Sequence, residues 1–306
     1  MDDAWPPLPF ADWRETCETL HLWSQIVGKV RLMQSPWTNH SWHVTLYVTP
    51  RGLTTSPIPH GTRSFSIDFD LIDHRLIVES SDGGVRTLPL RAQPVAEFYA
   101  AVMAILDDLD LPVRIHTTPN EIPDAIPFEQ DRQHAAYDPV AVARFRQVLI
   151  EIDRVFKTFR ARFIGKCSPV HFFWGSFDMA VSRFSGRPAP PHSGGVPNMP
   201  DWVAREAYSH EVSSAGFWPG NASFPEPVFY SYAYPEPAGY RDVRVQPAAA
   251  RFDRGLGEFV LPYEAVRSSA RPDDTLLAFL QSTYEAAADR GQWDRAALET
   301  SVPHVA

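Results

Sequence analysis

Two residues able to move a proton, His171 and Asp178, flank Gly175-Ser176 within residues 166–184. A two-residue turn at Gly175-Ser176 would close a β-hairpin, pairing Trp174 with Phe177, Phe173 with Asp178 and His171 with Ala180. Side chains alternate along a strand, so Phe172, Trp174, Phe177, Met179 and Val181 share one apolar face. His171, Phe173, Asp178, Ala180 and Ser182 share the other. The imidazole and the carboxylate are then diagonal neighbours within hydrogen-bond reach, directly or through water. An imidazole oriented by a carboxylate serves as a general base or as a metal ligand. The plainer alternative is a polar sheet face on which the two simply satisfy one another.

Three further groups extend this site. His210 and Glu211 are adjacent and face opposite sides of any strand. His210 with His171 and one carboxylate, Asp178 or Glu211, would make a two-histidine, one-carboxylate set for a divalent transition metal. The spacing of these ligands is not diagnostic. Small residues at 213–216 allow a ligand or a packed element to approach the backbone. Tyr230, Tyr232 and Tyr234 alternate with Phe229, Ser231 and Ala233, placing three phenols on one face. Tyr230, Tyr232 and Phe173 are therefore the expected substrate contacts, with His171, Asp178 and His210 as the catalytic set. A Cys167–His171 nucleophilic pair is a weaker reading, because Pro169 interrupts the strand between them.

The remaining candidates read as structure. His40 and His43 lie on different sides of a strand at 42–48, and His43, Tyr47, Asp68 and Asp70 suit a solvated face. Arg154, Lys157, Arg160, Arg162 and Lys166 form a basic run that suits a solvated helix surface. Gly28-Lys29 and Gly165-Lys166 lack the remaining residues of a phosphate-cradling loop and read as helix ends.

The elements that must position these groups follow from periodicity. Asp12 with Glu15 suggests a capping box opening a helix over 12–31. Alternating runs at 42–48, 65–71, 76–78 and 85–90 predict an antiparallel meander, followed by a helix at 94–109 and a short strand at 113–117. Asp138-Pro139 opens a long helix whose stripe is Val142, Phe145, Leu149, Ile152, Phe156, Phe159 and Phe163. Then come the hairpin, strand-like runs at 206–217 and 228–234, a hairpin around 253–257, and a helix from 273 to 287. The expected class is α+β: two helix–antiparallel-sheet–helix units, 1–117 and 138–306, joined by a proline-rich acidic linker or wrapping segment at 118–137. Their shared order suggests a degenerate internal duplication, and a crevice between them would hold a small-molecule ligand.

Longer strings carry a family resemblance. In the first half they are Leu20-His21-Leu22-Trp23-Ser24-Gln25-Ile26-Val27-Gly28-Lys29-Val30, Asn39-His40-Ser41-Trp42-His43 and residues 51–59. In the second they are residues 163–178 and Tyr208-Ser209-His210-Glu211-Val212-Ser213-Ser214-Ala215-Gly216-Phe217-Trp218. Together they resemble a bacterial family of full-length proteins known only as a domain of unknown function. The resemblance covers nearly the whole chain. It implies a bacterial, soluble protein and brings no activity or cofactor with it.

Bulk properties narrow the partners. The chain of 306 residues carries a formal charge of −9, which disfavours nucleic acid. Two cysteines, Cys17 and Cys167, make no disulfide framework and suit a reducing cytoplasm. No signal peptide and no membrane-spanning run are readable. The expectation is a cytoplasmic small-molecule enzyme of unassigned oligomeric state. The alternative is a non-catalytic small-molecule or protein-binding module using the same aromatic face.

Overall fold

Alternation along the chain becomes two antiparallel six-stranded sheets in the computed structural model, which describes residues 4–300. Helix α1 (Arg14–Gln34) leads into β1 (Tyr47–Thr49), β2 (Gly52–Thr54), β3 (Ile58–His60), β4 (Arg63–Asp70), β5 (Arg75–Ser80) and β6 (Val85–Pro89), closed by α2 (Val95–Asp108). Helix α3 (Pro139–Ala161) precedes β7 (His171–Phe173), β8 (Asp178–Pro188), α4 (Asp201–Ala207), β9 (His210–Trp218), β10 (Val228–Tyr234), β11 (Arg251–Asp253) and β12 (Glu258–Pro262). Helices α5 (Tyr263–Arg267), α6 (Pro272–Arg290) and α7 (Arg295–Leu298) end the described chain. The class is α+β.

The first sheet runs β1-β2-β4-β5-β6, with β3 also on β4; the second runs β11-β12-β10-β9-β8-β7. The second path therefore places β12 beside β10 and sends β11 to the edge, a swap that the first lacks. The two sheets join where Leu46 and Phe172 exchange backbone hydrogen bonds of 2.9 and 2.8 Å. One apolar cluster runs from α1 through Phe128 to α3 and α6 without a break at 118–137. That segment wraps. Asn120 N–H donates to Gln25 Oε1 at 2.8 Å, while Phe128 and Asp131 are buried.

Helix α3 forms as its residues dictate. Asp138 accepts a hydrogen bond from the Val140 N–H, and Pro139 supplies a first-turn residue that needs no donor. Val142, Phe145, Leu149, Ile152, Phe156 and Phe159 are buried along one stripe, each contributing roughly 1.5–3 kcal/mol relative to exposure. Helices α3 and α6 lie against one face of the second sheet, where Met179, Val181, Phe217, Phe229 and Leu261 are buried. The basic run on α3 is partly ion-paired: Arg154 binds Glu151 and Asp273, and Lys157 binds Asp153.

Several expected boundaries move. Asp12 sits in a 3-10 turn and does not cap α1, which starts at Arg14. Strand β1 begins only at Tyr47, and 113–117 forms no strand. The Lys29 ammonium instead donates to the carbonyls of His116 and Thr118, tying that irregular stretch to α1. The run expected as one strand at 206–217 is divided between the end of α4 and β9. Gly28-Lys29 is no helix end but lies inside α1.

Gly28 has a packing reason. A Cβ there would collide with the Trp174 indole, whose Nε1–H donates to the Val44 carbonyl at 2.7 Å. Helix propensity alone favours Gly28→Ala by about 1 kcal/mol. The collision reverses the sign, so the variant is expected to lose about 1–3 kcal/mol in urea denaturation. A more stable variant would mean that the indole does not occupy this groove.

Candidate functional site

Strand parity builds the floor of a cavity on the other face of the second sheet. Ala180 pairs with Gly216 and Ser182 with Ser214 across β8 and β9; Tyr230 pairs with Gly216 and Tyr232 with Ser214 across β9 and β10. Residues directly opposite share a face. Asp178, Ala180, Ser182, Phe184, Ser214, Tyr230, Tyr232 and Glu258 accordingly line a cavity of about 640 Å³. Its remaining walls come from three covering segments, contributing among others Trp37 and Trp42, Asn120 and Glu121, and Val196 to Tyr208.

Gly216 is what lets Tyr230 reach across β9. A Cβ at Gly216 would collide with the phenol of Tyr230. With that space open, the Tyr230 hydroxyl donates to Asp178 Oδ2 on β8, and the Ser176 hydroxyl donates to Oδ1. The small residue thus makes room for a side chain of the same sheet. Tyr208 and Tyr232 share a hydroxyl hydrogen bond of 2.8 Å, and the Tyr230 and Tyr232 rings lie 14° from parallel.

The roof is pinned by His40. Its backbone N–H donates to Glu206 at 2.8 Å, and its Nδ1–H donates to the Ala207 carbonyl at 2.8 Å. The Lys166 ammonium lies 2.6 Å from Nε2, which must then be the accepting nitrogen. This holds the imidazole neutral, in line with a pKa lowered first by burial and then by Lys166 and His210. Glu121 reaches the site because Gly175 leaves room for its carboxyl. The 174–177 turn is fixed from behind, where His21 Nε2–H donates to the Gly175 carbonyl at 2.8 Å.

Three carboxyl groups, Glu121, Asp178 and Glu258, line this cavity, and no lysine or arginine does. Among the described residues, neither glutamate carboxyl has a hydrogen-bond or ion-pair partner. Burial pushes Glu121 up to about 7, helped by the charge of Asp178. Burial pushes Glu258 up to about 8, helped by Asp178 and Asp253. Asp178 is also raised by burial, against the opposing hydrogen bonds from Ser176 and Tyr230. Tyr230 and Tyr232 are held well above the ordinary phenol value, first by burial, and remain neutral donors.

The expected site residues are only partly brought together. Phe173, Asp178, Tyr230 and Tyr232 meet in the cavity. His171 keeps the expected pairing with Ala180 but does not line the cavity. It is 1% exposed, packed edge-on against Phe173 at 4.6 Å, and neither ring nitrogen has a hydrogen-bond partner. Burial, followed by the charge of Arg31, lowers its pKa to about 3. The expected His171–Asp178 hydrogen bond is therefore corrected: Asp178 turns to Ser176 and Tyr230 instead. The turn is also wider than expected, because the ladder ends at Phe173–Asp178 and Phe177 takes a φ of 60°.

The metal set does not assemble either. His210 bonds Ser209 Oγ and faces the His40 ring at 5.9 Å, while Glu211 is engaged by Arg187 and Ser185. No group of three or more His, Cys, Asp or Glu residues that could hold a metal ion occurs among the described residues. Cys167 is raised by burial, away from the thiolate that a nucleophile needs. In the first half, Asp70 is buried and ion-paired to Arg51 and Arg75, and His43 is buried against Thr38, so that face is not simply solvated. Glu121 and Glu258 were not anticipated. Parity could have placed Glu258, which lies one step beyond the Ser231–Phe259 pair and hence opposite Tyr232.

The chain belongs to DUF5996, a family of unknown function whose model matches residues 5–300. No curated protein and no solved structure matches it. Among the described residues, no helix is long and apolar enough to cross a membrane.

The raised carboxyl pKa values have a thermodynamic consequence. In the unfolded chain both glutamates ionise near the ordinary value, whereas in the folded protein they hold protons to about 7 and 8. Their contribution to stability is complete below the unfolded value and is lost as pH rises through the folded values. Melting temperature is expected to fall between pH 5 and pH 8, and the double variant Glu121→Gln, Glu258→Gln should flatten that fall. An unchanged slope in the variant would show that other groups set it.

Proposed function

We propose that this member of the DUF5996 family binds a small, largely apolar molecule in the cavity over β8, β9, β10 and β12. The observation that carries this reading is the cavity of about 640 Å³ with an aromatic wall and a few polar groups. Small-molecule pockets span roughly 300–1,000 Å³ and have this mixture of linings. Phe173, Trp174, Tyr230 and Tyr232 provide the ring surfaces, and Asp178 with its two hydroxyl donors provides a fixed polar end.

The same groups support a second, catalytic reading. Two carboxyls whose pKa values burial raises toward neutrality stand beside a third, Asp178, whose hydrogen bonds from Ser176 and Tyr230 oppose the upward push of burial. A proton donor and a proton acceptor in one partly buried cavity is the arrangement used for acid–base chemistry. Asp178 would be the base, and Glu121 or Glu258 the acid. The expected role of His171 as base is not retained in this version, because the imidazole does not reach the cavity.

Two experiments separate these readings. Nile red, a neutral apolar dye, should bind in one equivalent with a blue-shifted emission. Ala180→Phe, which fills the cavity floor, should remove that signal while the circular dichroism spectrum stays native. Equal dye binding by the variant would place the dye elsewhere and defeat the binding proposal. For catalysis, small molecules that co-purify should change mass or isomeric form on incubation with the protein. Glu258→Gln should slow that conversion by about 100-fold or more while retaining the ligand. Ligands recovered unchanged would retire the catalytic reading alone.

A further inference from the structure

We propose that the occupant of this cavity carries a positively charged nitrogen on an apolar body, as an alkyl or arylalkyl ammonium does. The inference rests on the reading of the cavity as a ligand site and narrows the ligand to one charge class. The cavity lining holds Glu121, Asp178 and Glu258 and neither lysine nor arginine. The Lys166 ammonium, outside the lining, is turned to His40 and packs over the Trp42 and Phe184 rings. An anionic occupant such as a phosphate ester or a carboxylate would enter a site with no matching charge, beside carboxyls that repel it.

A second line of geometry points the same way. The Glu121 and Glu258 carboxyls have no hydrogen-bond or ion-pair partner among the described residues, although both open on the cavity. Grouping partly buried acids away from cations is costly, and burial with neighbouring acids raises the pKa of both glutamates. An ammonium group removes that cost. It donates charge-assisted hydrogen bonds to whichever of the cavity carboxyls it meets. The Tyr230 and Tyr232 rings add attraction for a cation and contact for its apolar body. Trp37 and Trp202 line the same cavity, yet are 47% and 55% exposed with ring centroids 5.1 Å apart. They form an aromatic rim against which a longer apolar body can extend. An inorganic divalent cation is disfavoured, because the carboxyls do not converge into a metal-holding group.

The test uses three molecules of matched size and different charge: 3-phenylpropylamine, 3-phenylpropan-1-ol and 3-phenylpropionate. Isothermal titration of the full-length protein at pH 7.5 should rank them amine, alcohol, acid. The amine is expected to bind about tenfold or more tighter than the alcohol, the size of one or two charge-assisted hydrogen bonds. Glu121→Gln and Glu258→Gln should each lower the ratio of amine to alcohol affinity, with a native circular dichroism spectrum certifying that the variants fold. Should one variant misfold, the other carries the comparison. Equal affinity for amine and alcohol, or preference for the acid, overturns the cation proposal while the cavity reading stands. Nile red binding with none of the three bound has the same meaning. If neither the dye nor any of the three binds, both readings fall.

Discussion

The site exists because one face of the second sheet has no helix packed flat upon it. Met179, Val181, Phe217 and Phe229 turn to α3 and α6 and are buried. The opposite face is covered mainly by irregular chain and the short helix α4, which cannot fill the space above a twisted sheet as a long helix does. Irregular chain brings unpaired backbone groups with it, and these need partners. Gln25, Lys29, His40 and Asn198 supply them, bonding backbone groups at 116–122 and 207. These side chains are the fastenings that hold the covering segments in place.

Glycine does corresponding work on the floor. Side chains on adjacent strands ordinarily meet their direct or diagonal neighbours. At Gly216 the absent Cβ allows the Tyr230 ring to lie across β9 and bond a carboxylate two strands away. Gly175 makes equivalent room for Glu121, and Gly28 for Trp174. Each of the three brings together groups from separate elements. The electrostatic character of the cavity follows from these close approaches: burial first, and then the charge of Asp178, raise the pKa of Glu121.

How much of this was legible depended on the range of the interaction. The pairing of Phe173 with Asp178 and of His171 with Ala180 could be read from local alternation, and both pairs form. The shared face of Asp178, Ala180 and Ser182 followed from the same parity. The partner of Asp178 could not be read, since Tyr230 is 52 residues away and reaches it only over Gly216. The fate of His171 was equally hidden. Parity placed it on the polar face, but Phe173 and Tyr47 enclose the ring there, and desolvation leaves it neutral. Glu121 lay in a proline-rich stretch without periodicity, so nothing local pointed it anywhere.

The amino-acid sequence by itself determined the α+β class, the long helices, most strands and the polar side of the second sheet. These follow from interactions among near neighbours, where the helical period of 3.6 and the strand period of 2 govern which side chains meet. Only the tertiary structure decided that the acid cluster comprises Glu121, Asp178 and Glu258, that no lysine or arginine lines the cavity, and that His171 and His210 stay outside it. Those outcomes turn on where a wrapping segment and a distant tyrosine come to rest. Such placements are set by close packing of shapes contributed from several elements at once, which no local period encodes.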